Sequence, residues 1–115
     1  MSRWRMAPEL AEGIRRFESG ATRPAHEEWE DVWRTHRGSP LGEVARALSQ
    51  WAAACIHLEE GRIAGFRSLA AKCASRFAGP AIAEEFETRP LADRIARLSA
   101  AEALPDPREL RALGP

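Results

Sequence analysis

A chain that offers only ten valine, isoleucine and threonine residues in 115 has almost nothing from which to build a β-sheet. Its commonest residue is alanine, and it carries 16 arginines and ten leucines, all strong helix formers. Hydrophobic residues make up 44% and charged residues 30%, which is enough apolar material for a packed core and too much for a disordered chain. These proportions predict an all-α fold, and the length predicts one domain over residues 1–115.

The apolar spacing divides that domain. Ala7, Leu10, Ala11, Ile14 and Phe17 make one face of a first helix, which Gly20 ends. Thr22 can cap a second helix, which runs to about Arg37 and carries Trp29, Val32 and Trp33. Ser39 and Pro40 are a cap and a first-turn residue for a third helix. Its stripe is Val44, Leu48, Trp51, Cys55 and Leu58, the four-three spacing of a helix lying along a neighbour. Gly61 separates it from a fourth helix with Ile63, Phe66, Ala70, Cys73 and Phe77, and so short a turn predicts an antiparallel hairpin. After Gly79-Pro80 the pattern weakens. Residues 81–86 predict one or two turns, Pro90 opens a helix with Leu91, Ile95 and Leu98 inward, and Asp106-Pro107-Arg108-Glu109 has the order of a capping box. The expected architecture is a compact bundle of five or six helices built on antiparallel hairpins, with a core unit over about 7–78, C-terminal helices within 81–113 and a partly tethered C-terminus.

Charge excludes more than it assigns. Seventeen cations balance 17 anions, and residues 1–37, 38–79 and 80–115 hold seven and seven, five and three, and five and seven. No basic block exists to displace counterions, so a nucleic-acid partner is not expected. No apolar run has the length of a membrane span, and the first six residues have cations without an apolar stretch behind them. The expected setting is cytoplasmic, without a membrane. Cys55 and Cys73 fall inside apolar helical patterns and are expected to be buried thiols. Folding back at Gly61 would offset them by roughly 9 Å, beyond disulfide reach.

The segment His26-Glu27-Glu28-Trp29-Glu30-Asp31-Val32-Trp33 is the most unusual in the chain. On a helix His26, Glu30 and Trp33 share a face, with Trp29 beside them. Burying such polar groups costs several kcal/mol unless they find partners. Gln50 and His57 lie two turns apart on the third helix and are the candidate partners, Gln50 the closer along the axis if the chain folds back at Ser39. Three readings compete. The first is a buried His26–Glu30–Gln50–His57 network that fixes helix register. The second is a divalent-metal site, with His26 and Glu30 at i, i+4 and His57 as third ligand. The third is acid–base chemistry on a small ligand, with a carboxylate tuning a histidine. No serine-hydrolase elbow, phosphate loop or dinucleotide fingerprint is present.

The pattern Phe17-x-x-Gly20, His26-Glu27-x-x-Glu30-x-x-Trp33, Gln50, and His57 followed by Gly61 and Gly65 resembles domain of unknown function 309, a family of small all-helical bacterial and archaeal proteins. The resemblance covers about residues 7–78. It implies a compact helical fold and marks His26, Glu27, Glu30, Trp33, Gln50 and His57 as the signature, and it implies no reaction. The function expected from residues and resemblance together is a non-enzymatic interaction or structural module, with a protein partner or self-association and no cofactor. The alternative is a metal- or small-ligand pocket, hydrolytic in one form, around His26, Glu30 and His57.

Overall fold

Proline and glycine set where the helices begin and end. The computed structural model describes residues 1–115 and contains eight helices and no strand. They are α1 (Arg3–Met6), α2 (Pro8–Glu18), α3 (Thr22–Thr35), α4 (Pro40–Glu59), α5 (Ile63–Phe77), α6 (Pro80–Phe86), α7 (Arg89–Ala100) and α8 (Pro107–Arg111). Five of them carry proline in the first two positions, where the missing N–H removes no helical hydrogen bond. Ser39 caps α4 by accepting from the Gly42 amide, and Asp106 with Glu109 closes the capping box of α8.

α4 is the axis of the fold. It packs against α3 on one side and α5 on the other, while α2 covers α3 and α7 covers α5. Eleven of its 20 residues are buried, so it lies within the bundle rather than on its surface. Ala45, Ala47, Ala52 and Ala54 are fully enclosed, and their small side chains let both neighbours come close. The core is one contiguous cluster that runs from Trp4 to Leu113. Cys55 and Cys73 are buried free thiols, as expected, and burial pushes both above the ordinary thiol range.

Three features differ from the expectation. The helix count is eight because short α1 and α8 join the five longer helices and the short α6. Four residues are too few to show a period, so only packing reveals α1, whose Trp4 is 1% exposed; α8 is the short helix announced by the Asp106–Glu109 capping box, anchored by Leu110 at 6%. Thr22 does not cap α3. Ala21 holds that position, and the Thr22 hydroxyl donates to Glu59 instead. Finally, the C-terminus is tied down. Leu113 is buried, the Arg5 guanidinium donates to the Gly114 carbonyl, and the Ser2 hydroxyl donates to that of Pro115.

Candidate functional site

Along α3 the i, i+4 spacing places His26, Glu30 and Arg34 on one flank and turns Trp29 into the core. Trp29 is fully buried, its ring centroid 5.7 Å from that of Phe17 in a tilted pair, with its indole N–H directed at the Leu10 carbonyl at 3.4 Å. The polar flank is only half-buried, the His26 and Glu30 side chains being 27% and 34% exposed. Glu27 is exposed and pairs with nothing. The expectation of a fully buried polar face is corrected here: the tryptophan takes the interior, and the helix rotates its histidine and carboxylates to the boundary with water.

His26 ties α3 to α4 through Ser49. Its Nδ1 lies 2.9 Å from both the hydroxyl and the carbonyl oxygen of Ser49, and its Nε2 lies 3.3 Å from a Glu30 oxygen. With the proton on Nε2, Nδ1 accepts from the Ser49 hydroxyl; with the proton on Nδ1, it donates to the Ser49 carbonyl. Nε2 faces the Glu30 carboxylate at ion-pair distance without a hydrogen bond. The second Glu30 oxygen takes Arg34 at 3.0 Å, and Arg34 reaches Asp31 at 3.2 Å.

Gln50 and His57 share a helix face, as their spacing requires, but that face looks toward α5. Successive helical residues differ by about 100° in direction, so Ser49 faces α3 while Gln50 beside it points away. The Gln50 carbonyl accepts from Arg76 of α5 at 3.1 Å, and Arg76 pairs with Glu43 at 2.8 Å. His57 accepts from Arg62 at 2.8 Å and packs against Gly65, where a Cβ would lie 2.8 Å from the ring nitrogen. The expected four-residue network is therefore three separate couples. The partner of His26 on α4 is Ser49 rather than the adjacent Gln50, and a step of one residue is enough to change the neighbouring helix.

The same geometry bears on the metal reading. His26 and Glu30 remain adjacent, but His57 lies on the other side of α4, and no three His, Cys, Asp or Glu side chains converge to hold an ion. Adding Zn2+, Mn2+ or Ni2+ is expected to leave the melting temperature unchanged. A rise that disappears in His57→Ala would show instead that His57 swings across to complete a site.

Trp33, the last signature residue, is half-buried at the outer edge of α3. The Arg37 and Arg46 guanidinium carbons lie over its ring at 4.8 and 4.9 Å. Arg37 follows Trp33 by four residues and was findable by spacing, whereas Arg46 comes from α4 and was not. Ser49, Arg62 and Arg76 are the other site residues that spacing missed. A serine beside a glutamine carries no signal of its own until the helix rotation is known.

These contacts define the class: a small all-helical domain whose HExxExxW helix is clasped to a central helix and whose further signature residues fasten that helix to its next neighbour. The family model for Domain of unknown function (DUF309) matches residues 10–69, just over half of the chain, and the protein belongs to that family. No curated protein and no solved structure matches the chain.

Proposed function

We propose that the protein is a non-enzymatic helical interaction module in which the signature residues are architectural. The observation that carries this reading is the His26 contact set. Nδ1 is hydrogen-bonded to Ser49, and Nε2 lies 3.3 Å from a Glu30 oxygen. Neither of the two principal cavities, about 430 and 200 Å3, has His26, Glu30 or His57 in its wall. A catalytic histidine needs a lone pair or proton facing a space where substrate can sit. Here Nδ1 is engaged by α4 and Nε2 is turned to Glu30 of its own helix, which favours fixing the α3–α4 crossing and keeping Glu27, Glu30 and Trp33 in place on the outer side of α3 for a partner protein or a second copy.

The test is a double-mutant cycle in urea. His26→Ala and Ser49→Ala are each expected to cost about 1–2 kcal/mol, through lost hydrogen bonds and an orphaned partner. Their effects should be coupled by about 0.5–1.5 kcal/mol. Glu27→Ala, which removes no contact, should change stability by less than about 0.5 kcal/mol. A His26→Ala protein as stable as the parent would overturn the architectural reading and return His26 to candidacy for chemistry.

A further inference from the structure

The larger cavity lies away from the signature histidines and is built by two parts of the chain. Phe17 and Gly20 from the end of α2, Thr22 from the start of α3, and Cys55, Leu58 and Glu59 from the last turns of α4 form one wall. Leu104, Leu110 and Arg111 of the C-terminal segment are in the other. The space is about 430 Å3, at the lower end of small-molecule sites of about 300–1,000 Å3. It suits a single amino acid or a body of that size better than a nucleotide or a flavin.

Its chemistry is uneven in a specific way. Most of the wall is hydrocarbon, and the Cys55 thiol adds to it, because burial keeps that thiol protonated and unreactive. Only two charged residues line the cavity, Glu59 and Arg111. Neither takes part in an ion pair, with the other or with any further residue. The one side-chain hydrogen bond to Glu59 comes from the Thr22 hydroxyl at 3.4 Å, which leaves its second oxygen free. Arg111 spends Nε on the Pro107 carbonyl at 3.1 Å and leaves both terminal amino groups free. Gly20 makes room for that guanidinium, since a Cβ there would lie 2.9 Å from Arg111 Nη1. Leu104 is 46% exposed at the rim, an apolar surface that a bound molecule would cover.

We propose that this cavity binds a free apolar α-amino acid, its side chain against Phe17, Leu58 and Leu110, its ammonium on Glu59 and its carboxylate on Arg111. Charge complementarity selects the ligand. One free carboxylate and one free guanidinium beside an apolar wall match a molecule with one ammonium, one carboxylate and an apolar body. A fatty acid would leave Glu59 unanswered at the mouth of the cavity, and an alkylamine would leave Arg111 unanswered. The carboxyl-terminal half of the site lies beyond residues 10–69, so the carboxylate-binding Arg111 would belong to this chain's C-terminal segment, while Glu59, Phe17 and Leu58 lie in the family-matched core. The site is independent of the His26 clasp, and neither proposal stands or falls with the other.

The experiment is isothermal titration calorimetry of the full chain with L-leucine and L-phenylalanine, against 4-methylpentanoate, isopentylamine and glycine. Saturable binding of the two amino acids is expected. Each single-charge analogue should bind about tenfold more weakly, and glycine should not bind detectably. Glu59→Gln keeps an acceptor for Thr22, and Arg111→Gln removes a partly exposed cation, so both variants should fold and both should weaken leucine binding about tenfold. Leu58→Trp should fill the cavity and abolish binding. The proposal is overturned if neither amino acid binds saturably. It is equally overturned if the single-charge analogues bind as well as leucine, or if both charge variants bind leucine like the parent.

Discussion

Replacing Trp29 with alanine is expected to cost about 3–5 kcal/mol, the range for truncating a large buried aromatic. In a chain of this size that corresponds to a fall in melting temperature of about 10–20 °C. Trp29 is fully enclosed, touches Phe17 and joins α3 to α2, so its removal leaves a void between two helices. The neighbouring helix is shaped for it. Gly13 sits where a Cβ would come within 2.2 Å of the indole nitrogen. Glycine within a helix ordinarily costs about 1 kcal/mol relative to alanine, so Gly13→Ala would stabilise an unconstrained helix. Here the sign should reverse, because Trp29 has no free volume into which to retreat. Combining Gly13→Ala with Trp29→Ala should then cost less than the two separate losses added together. Additive losses in urea denaturation would show that the glycine and the tryptophan do not constrain each other.

Much of this arrangement is legible in the order of residues. The caps at Ser39 and Asp106, the breaks at Gly20 and Gly61, the buried thiols and the five longer helices all follow from local rules that need no neighbour. The candidate site was legible only as two helix faces. Periodicity places Gln50 and His57 on one side of α4, and the structure agrees. Periodicity does not say which neighbour that side meets, because α4 is apolar nearly all round and could present either flank to α3. Ser49, not Gln50, meets His26 for that reason. The attachment of the C-terminal segment, unlike its capping box, was illegible on different grounds. α8 is five residues long, and its attachment rests on Leu110, Leu113 and bonds to residues more than a hundred positions away. No local pattern records such contacts.

Gly42→Ala is expected to cost about 2–4 kcal/mol, although its backbone is ordinary helix and alanine is the better helix former. The obstacle is main chain. A Cβ at Gly42 would lie 2.1 Å from the His36 carbonyl oxygen and 2.8 Å from its carbon. A side chain can rotate aside, but this carbonyl ends α3 and accepts from both the amide and the hydroxyl of Ser39. Ser39 in turn caps α4 through the Gly42 amide, at 3.1 Å. Moving His36 therefore disturbs the C-terminus of α3 and the N-cap of α4 together. Gly38 provides the contrast. Its φ of +82° favours glycine, but nothing lies within 4 Å of a Cβ there. Gly38→Ala should cost only the left-handed backbone penalty, about 1–2 kcal/mol. Dihedral angles alone would rank the two substitutions the other way. If urea denaturation finds Gly38→Ala the more damaging, the corner is not held by the Gly42–His36 approach. If Gly42→Ala is the more damaging, its effect should extend to the clasp. A widened corner moves α3 along α4, so the coupling between His26 and Ser49 should shrink in the Gly42→Ala background, because one helix crossing sets both contacts.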